Sequence, residues 1–409
     1  MTEERDIVIA GAGMVGMSLA LLLRAQLAET IGVTLLEGND LSIPADFQDT
    51  YPAFDSRTTA LSYSSRRIFE NIGIWNLFEN NASLINSIHV SSKGKFGNAL
   101  LTSNDYGWPA LGYVAENLAL GSALLRSIND RPEIELLGSA KVLNVKSIGE
   151  SGVSLKINQE GLVKKFKTKL LIVADGAKSK LRESFSIDST IKDYRQDAIV
   201  TNVGFEQPHM DCAFERFTES GPLAVLPLLG IPSQPNRCSV VWSTNPERAK
   251  KLEAISLDKF KILLQKEFGY RLGRISDIGE RSRFPLSLIK ANEQVRQGIV
   301  IMGNAAHALH PVAGQGFNLA LRDADELARI LSNAVSRDEA LGDLKVLESY
   351  RLARLRDQEI IVTASDILPR LFTYRNHFVG LARGIALASL DILPPIKNRL
   401  IRHAAGMSF

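Results

Sequence analysis

The feature that most constrains the fold is a glycine-rich loop near the start of the chain. Residues 6–10 (DIVIA) form a short apolar run, rich in β-branched residues, that is typical of a buried parallel strand. The loop at residues 11–16 (GAGMVG) matches the pattern G-x-G-x-x-G, and residues 17–26 (MSLALLLRAQ) follow with the apolar character of a helix. Residues 33–37 (VTLLE) predict a second strand. This strand–loop–helix–strand unit is the first half of a doubly wound α/β fold.

The loop and the second strand together predict a dinucleotide-binding site. Gly11 allows a tight turn, Gly13 lets the backbone approach a pyrophosphate, and Gly16 lets the helix pack closely on the strand. The N-terminus of the helix offers free N–H groups and a partial positive charge to the phosphates. Glu37 ends the second strand, where an acid hydrogen-bonds the ribose hydroxyls. The predicted cofactor-binding residues of this segment are Gly11, Ala12, Gly13, Val15, Gly16 and Glu37.

The rest of the chain alternates between two kinds of segment. Residues 170–174 (LLIVA) and 299–302 (IVIM) again predict buried strands, whereas residues from about 195 to 285 are β-rich and interrupted by Pro, Gly and Ser clusters. We therefore predict an α/β fold with an α+β second domain, in which a β-sheet substrate domain is inserted into a Rossmann-like nucleotide-binding domain. The predicted pieces are residues 1–80, 110–182 and 286–335 for the nucleotide-binding domain, 81–109 and 183–285 for the β-rich domain, and 336–409 for a helical C-terminal region.

Composition excludes several classes of protein. A net charge of +3 over 409 residues gives no reason to expect nucleic acid as a partner. Two cysteines, Cys212 and Cys238, are too few for a disulfide framework. The charged start of the sequence lacks the pattern of a signal peptide, and no run of 18 uncharged apolar residues occurs. We expect a cytoplasmic protein.

Three further segments resemble the motifs of flavin-dependent aromatic-ring hydroxylases, which share the fold of p-hydroxybenzoate hydroxylase. Residues 55–62 (DSRTTALS) resemble the arginine segment that follows the second strand in this family. Residues 173–182 (VADGAKSKLR) resemble its Asp-Gly motif. Residues 303–307 (GNAAH) and 310–323 (HPVAGQGFNLALRD) resemble its Gly-Asp motif with the loop and helix that follow. All three occur in the order and at the spacing expected for the family.

The resemblance implies FAD as the cofactor and extends the set of residues that hold it. The added residues are Arg57, Asn117, Asp175, Gly176, Gly303, Asn304, Gly314 and Gly316. It also implies a flavin-positioning loop, made of Pro311, Gly314, Gln315 and Gly316, whose helix N-terminus faces the edge of the flavin that becomes negative on reduction. N-cap duty is an equally good interpretation of Asn117. No residue is identified as the acceptor of the substrate proton, and the pair His307 and His310 lacks a third ligand, so no metal site is expected.

Within this family the sequence is most similar to the hydroxylases of ubiquinone biosynthesis. Asn304 stands where the wider family has aspartate, and residues 214–218 (FERFT) and 350–359 (YRLARLRDQE) also resemble segments of that branch. The resemblance implies an FAD-dependent monooxygenase that hydroxylates the ring of a polyprenyl phenol through reduced FAD, O2 and a flavin C4a-hydroperoxide. NAD(P)H or another reductant would supply the electrons.

The substrate is expected between the two domains, and four apolar residues of the β-rich region are candidates for its walls. These are Phe214, Phe217, Leu226 and Trp242. The alternative interpretation is that they belong to an ordinary sheet core.

Expected partners follow from the substrate. A polyprenyl phenol dissolves in the bilayer, and residues 370–402 carry six basic residues against one acid between apolar runs, which suits peripheral contact with the inner face of a membrane. A multi-enzyme ubiquinone-biosynthesis complex and a homo-oligomer are further candidate assemblies. Two other functions stay open at this point: a flavin-dependent reductase or dehydrogenase of an isoprenoid substrate on the same fold, and a non-catalytic isoprenoid-binding scaffold.

Overall fold

The computed structural model describes residues 2–41, 57–94, 97–309, 314–373 and 405–406, with side chains in the last helix described as far as Ile367. The strands are β1 (Thr2–Ala10), β2 (Val33–Leu36), β3 (Thr58–Ser62), β4 (Ala82–Ile85), β5 (Ser87–Ser92), β6 (Asn98–Thr102), β7 (Gly112–Glu116), β8 (Ile134–Leu137), β9 (Ala140–Ser147), β10 (Val153–Gln159), β11 (Leu162–Val173), β12 (Ser189–Phe205), β13 (Cys212–Thr218), β14 (Gly221–Pro227), β15 (Arg237–Thr244), β16 (Ile275–Ile278), β17 (Ser282–Ala291), β18 (Val295–Arg296), β19 (Ile299–Ile301) and β20 (His307–Ala308). The helices are α1 (Met14–Gln26), α2 (Tyr63–Asn71), α3 (Asn117–Asn129), α4 (Lys180–Ser184), α5 (Pro246–Ala254), α6 (Leu257–Phe268), α7 (Gln315–Ser336) and α8 (Leu344–Thr373).

The first sheet has the order β18-β19-β11-β1-β2-β8, with β10 and β9 added beside β11. Its central pairs β19–β11, β11–β1, β1–β2 and β2–β8 are parallel. Helices α1, α3 and α7 cover one face of this sheet, and α4 with β9 and β10 covers the other face. The apolar residues of β1 are therefore buried on both faces. Burial on both faces explains why residues 6–10 are continuously apolar rather than alternating.

The second sheet has the order β20-β17-β12-β15-β14-β13-β5-β6, with β16 beside β12. One of its faces packs against α5 and α6. The two sheets together confirm the predicted α/β fold with an inserted β-sheet domain. Strand β17 crosses residue 286, where the sequence analysis predicted a domain boundary. That analysis predicted residues 195–285 only as β-rich and did not predict helices α5 and α6.

A small sheet, β3-β7-β4, lies beside these two. Helix α8 packs against α7 and reaches β13 and β14. Between α7 and α8 lies a buried charge cluster made of four side chains, each no more than 6% exposed: Arg322, Asp323, Arg354 and Asp357. The basic segment 370–402 lies outside the described residues apart from the backbone of residues 370–373. Among the helices that are described, none is both long and apolar enough to cross a bilayer.

Candidate active site

Four of the predicted motifs leave the first sheet at the same edge. In the parallel registers, Ala10 of β1 pairs with Leu36 of β2 and with Val173 of β11, and Val173 pairs with Ile301 of β19. The loops that begin after these strands therefore lie side by side. They carry the glycine loop, Glu37, Asp175-Gly176 and Gly303-Asn304, which are separated by up to about 290 residues in the sequence. Ligands of open α/β sheets bind outside this carboxyl edge.

The three glycines of the loop have different surroundings. A Cβ on Gly11, whose φ is +110°, would lie 2.5 Å from the carbonyl oxygen of Ala174, and one on Gly16 would lie 1.9 Å from the carbonyl oxygen of Gly11. These two glycines are therefore required by the packing of the loop itself. A Cβ on Gly13 would meet nothing within 4 Å. Gly13 faces open space, where a ligand can approach the backbone.

Helix α1 begins at this open space, and no side chain caps its N-terminal N–H groups. Its N-cap is Gly13, which makes no side-chain hydrogen bond, and its first turn contains no acid. Such an end favours an anion. Glu37 lies against the loop, because its Oε2 accepts a hydrogen bond from the N–H of Ala12 at 2.9 Å and its Oε1 accepts from the N–H of Asn39 at 3.1 Å. The acid predicted to bind the ribose therefore also fixes the loop.

The Asp-Gly segment contacts both neighbouring loops. Asp175 Oδ2 accepts a long hydrogen bond from the N–H of Leu181 at 3.3 Å. The protein around Asp175 partly desolvates its carboxyl, which raises its pKa although the residue remains accessible to solvent. Arg182, which is buried, donates from Nη1 to the carbonyl oxygen of Ala305 at 2.7 Å. Arg182 thus ties this segment to the third motif, a link that was not predicted from the sequence.

The third motif packs against α1. Gly303 has a φ of +61°, and a Cβ there would lie 3.1 Å from Cγ1 of Val15. Asn304 follows on the exposed side of a short 3-10 turn, Gly303–Ala305. His307, which invited a metal interpretation, is buried, and its Nε2 is 2.7 Å from Nε2 of Gln294. Burial lowers the pKa of His307. His310 and Pro311 lie outside the described residues.

Helix α7 begins against β3. Gly314 is its N-cap, with φ +60°, and a Cβ there would lie 2.9 Å from Cβ of Ala60. The first turn, which includes Gln315 and Gly316, contains no acid and no side-chain cap, and a Cβ on Gly316 would meet nothing within 4 Å. The start of α7 therefore places the positive end of its helix dipole and the open space at Gly316 next to β3.

Asn318 holds this junction together. Its side chain is 1% exposed; Nδ2 donates to the carbonyl oxygens of Ala60 and Gly314, each at 2.8 Å. Its Oδ1 accepts from the N–H of Ser62 at 2.8 Å and from the hydroxyl of Ser65 at 2.7 Å. The side-chain amide of Asn318 therefore pairs with two donors and two acceptors, which lie on β3, on α2 and at the N-cap of α7.

We expect Asn318→Ala to lower the free energy of unfolding by about 2–4 kcal/mol, because buried groups on both sides lose their partners. Urea denaturation of the apoprotein measures this. Asn333→Ala, at an exposed position of the same helix, is the matched control and should change stability by less than about 0.5 kcal/mol. Equal effects of the two substitutions would contradict the role assigned to Asn318.

Arg57 and Asn117 lie together at the start of β3. The backbone carbonyl of Arg57 accepts a hydrogen bond from the N–H of Asn117 at 2.9 Å, and Asn117 Oδ1 accepts from the hydroxyl of Thr59 at 2.6 Å. The N-cap of α3 is Glu116, so the N-cap interpretation of Asn117 is wrong. The guanidinium of Arg57 stacks 4.8 Å above the ring of Phe284, in β17 of the second sheet. These two residues thus lie where the domains meet.

One face of the second sheet is turned toward the first domain. Ser239 bonds to Thr58 at 2.9 Å and Arg237 forms an ion pair with Glu116 at 2.6 Å. Because side chains alternate along a strand, Leu226, which is paired with Ser239, shares this face.

The four candidate wall residues divide between the two faces. Phe217 and Leu226 lie on the face toward the first domain, whereas Phe214 and Trp242 point the other way into the core beneath α5 and α6. The interpretation as sheet core therefore holds for Phe214 and Trp242. The sequence missed this division because it depends on strand register.

Fold and site together define a flavoprotein, and the family comparison agrees. The model of the FAD binding domain family matches residues 4–365, and the chain belongs to this family. FAD is its cofactor, and the chain is an FAD-dependent aromatic-ring monooxygenase, as the sequence motifs predicted.

Named relatives place the chain within that family. It is 32% identical over 402 residues to the ubiquinone hydroxylase UbiL of Rhodospirillum rubrum, covering 98% of this chain and 89% of the relative. It is 28% identical to the 3-demethoxyubiquinol 3-hydroxylase of Escherichia coli, covering 99% of each chain. The fold matches the crystal structure of the p-nitrophenol 4-monooxygenase PnpA from Pseudomonas putida, with a TM-score of 0.77 at 16% identity over 99% of each chain.

Proposed function

We propose that this monooxygenase hydroxylates the aromatic ring of a polyprenyl phenol in ubiquinone biosynthesis. The observation that carries the proposal is the convergence of the flavin motifs on one sheet edge, together with a face of the second sheet that carries Leu226 and Phe217 and is turned toward the first domain. Both full-length relatives described above are named for hydroxylation of ubiquinone or its precursors, which supports the substrate class. Within that branch, Asn304 and residues 214–218 most resemble the 2-octaprenyl-6-methoxyphenol hydroxylases.

The residues at the sheet edge fit FAD. Gly13 and the start of α1 would hold the pyrophosphate, assisted by the backbone of Ala12 and Val15, and Glu37 would hold the adenosine ribose. Open space at Gly13, which a side chain would fill, is the observation that supports this fit. The rest of the cofactor would lie along the other predicted residues, namely Arg57, Asn117, Asp175, Gly176, Gly303, Asn304, Gly314 and Gly316.

When bound, FAD supplies the redox chemistry, namely storage of two electrons from NAD(P)H or another reductant and activation of O2. The protein supplies position and electrostatics. The acid-free first turn of α7 places partial positive charge beside Gly314 and Gly316, which favours a negatively charged group there. The half-buried Leu226 and Val241 offer apolar surface that orients the ring and limits access of water.

The test is a product assay on the purified protein with a short-chain prenyl phenol, NAD(P)H and isotopically labelled O2. We expect a product that carries one labelled oxygen atom, detected by mass spectrometry, and free FAD in the supernatant after acid precipitation. Consumption of NAD(P)H with only peroxide formed would contradict the proposal. A saturated isoprenoid product would indicate a reductase, and a protein without FAD would indicate a scaffold.

Delivery of the substrate involves the C-terminal region in this proposal. The excess of basic residues in 370–402 supports contact with anionic lipid, at on the order of 1 kcal/mol for each basic residue near the surface. Peripheral membrane contact, a multi-enzyme complex and a homo-oligomer all stay predictions.

A further inference from the structure

Hydroxylation of a phenol ring is faster when the hydroxyl has lost its proton, because the phenolate is the more electron-rich nucleophile. A side chain that accepts this proton must lie in the substrate site and must be unprotonated near neutral pH. The carboxyls of the flavin motifs, Glu37 and Asp175, are assigned to the cofactor, so this group must come from another part of the chain. The second sheet contains one carboxyl that meets these requirements, Glu215 in β13.

Strand register fixes where Glu215 points. Glu215 pairs with Ala224 of β14, and Ala224 pairs with Val241 of β15. These three residues therefore share one face of the sheet. It is the face of Ser239, which bonds to Thr58 of β3, so Glu215 is turned toward the domain that carries the flavin motifs. Its chain neighbour Phe214 points to the opposite face, into the core with Phe268.

The surroundings of Glu215 are apolar and partly open. Ala224, Val241 and Val90, which share its face on neighbouring strands, are half-buried, as is Glu215 itself. Their partial exposure means that this part of the face is not fully covered, and we call it the hollow. Phe217, two residues along the same strand, closes one side of this hollow together with Ala99. The hollow suits a substrate with an aromatic ring and an apolar tail.

Glu215 makes no hydrogen bond or ion pair to any residue in the described parts of the chain. Two other carboxylates of the second sheet and its helices do have cationic partners: Glu267 bonds to Lys93 at 2.8 Å, and Asp197 bonds to Arg283 at 2.7 Å. A carboxyl in an apolar hollow without a cation is costly for stability, and groups of this kind are concentrated at functional sites. Among the described residues, none occupies the hydrogen-bonding positions of the Glu215 oxygen atoms, which a ligand could use.

The charge state of Glu215 suits a base. Burial raises the pKa of its carboxyl from 4.5 to about 7, and no charged neighbour contributes to the shift. Its direct cross-strand neighbours Ala224 and Val90 are apolar, and Ser92 of β5, which shares this face, carries no charge. On α8, which also reaches β13, Asp366 is paired with Lys192 at 2.6 Å. A glutamate with the ordinary pKa would be a much weaker base toward a phenol.

We propose that Glu215 is a catalytic residue that accepts the proton of the substrate's phenolic hydroxyl, an inference that rests on the proposed function. The O–H bond of the phenol breaks as an O–H bond forms on a carboxylate oxygen of Glu215, and the negative charge passes to the phenolic oxygen. Glu215 is accessible enough to release the proton to water after product leaves. The step needs no oxidant or reductant.

Other titratable groups on this sheet are poorly placed for the role. His89 lies on the opposite face, where its ring contacts Phe214 and its nitrogens contact Arg271. Cys212 and Cys238 have pKa values that burial raises, so that neither is ionised near neutral pH. Asp197 is held by its ion pair with Arg283.

The test compares Glu215→Gln and Glu215→Asp with Glu219→Gln, a matched control at the exposed turn after β13. The holoenzyme is assayed for prenyl-phenol hydroxylation from about pH 5.5 to about pH 9. In the wild type, kcat/KM should rise with pH and level off above pH 7. In Glu215→Gln, kcat/KM should fall about 100-fold or more and should lose this pH dependence. Glu215→Asp should keep part of the activity and part of the pH dependence. The control should match the wild type.

A second measurement does not depend on turnover. Ultraviolet difference spectra of the bound phenol should show the ionised form in the wild type near pH 7.5 and the neutral form in Glu215→Gln, with FAD content and melting temperature unchanged. Loss of rate at all pH values with the pH dependence retained would overturn the proposal, because it would indicate a structural role. So would a Glu215→Gln enzyme with wild-type kinetics. If instead the wild type makes no hydroxylated product, the proposed function fails.

Discussion

Replacing Gly13 with valine should give a folded protein that no longer retains FAD. The backbone of Gly13 has φ −67° and ψ 176°, which any residue can adopt, and a Cβ there would meet nothing within 4 Å. Valine at this N-cap therefore costs no more than about 1 kcal/mol. Its methyl groups would fill the open space that we propose for the pyrophosphate. We expect FAD binding to weaken about 100-fold or more, which corresponds to about 2.8 kcal/mol, as measured by titration of the apoprotein.

A substitution three residues along the same loop supplies the contrast. Gly16→Val would place a Cβ 1.9 Å from the carbonyl oxygen of Gly11, so that backbone must move and the apoprotein should not fold. The circular dichroism spectrum and melting temperature of the Gly13→Val apoprotein should match those of the wild-type apoprotein. A yellow Gly13→Val protein that retains FAD through gel filtration would show that the pyrophosphate binds elsewhere.

Removing one carboxylate from the buried charge cluster should strongly destabilise the protein. Asp357 accepts from Nε of Arg322 at 2.9 Å and also from Arg354, whose Nε donates to Asp323 at 2.6 Å. Asp357→Ala would leave two buried guanidinium groups with a single carboxylate. Breaking a buried pair in this way costs about 3–5 kcal/mol, and we expect the free energy of unfolding in urea to fall by that amount.

The pH dependence gives this prediction a second readout. Burial alone would raise the pKa of Asp357, but Arg322 and Arg354 together outweigh it and hold the pKa below its usual value of 3.8. The stabilisation is therefore complete above that pH and is lost as the pH falls through the lower, folded-state pKa. The difference in the free energy of unfolding between wild type and Asp357→Ala should therefore be constant above pH 3.8 and should shrink as the pH falls below that value.

An exposed ion pair on the same helix serves as the control for the cluster. Glu348 contacts Arg351 at 2.7 Å with both side chains more than a third exposed, so Glu348→Ala should cost less than about 1 kcal/mol. If the two substitutions cost the same, the cluster does not hold α7 and α8 together.

The sequence was sufficient for the parts of the site that depend on local pattern. A glycine spacing after an apolar run predicts the loop at residues 11–16, and a strand-terminal acid predicts Glu37, because both signals lie within one strand–helix–strand unit. Asn318 carries no such signal, since an asparagine inside a helix is unremarkable until its partners, about 255 residues away, are known. From the sequence alone, Arg354 and Asp357 would be interpreted as solvent-exposed charges on an amphipathic helix.

Glu215 illustrates a different limit of sequence reasoning. Residues 214–218 drew attention to β13, but the candidate wall residues on that strand were Phe214 and Phe217, and a shift of one residue exchanges the two faces of a strand. Only the register with β14 and β5 shows that the carboxyl of Glu215, rather than the ring of Phe214, lies on the face that is turned toward the first domain.

The order of strands in the first sheet has a consequence for synthesis of the protein. Strand β1 is flanked by β2 and β11, and β11 in turn pairs with β19, near residue 300. In a chain that emerges from the ribosome, β1 and its glycine loop are therefore synthesised long before β11 and β19, the strands that complete the carboxyl edge of the sheet. Helix α7, which packs on α1, arrives later still. Contacts so distant in sequence slow folding, so FAD can be captured only after most of the polypeptide has been made, and a truncated nascent chain would present bare strand edges to chaperones.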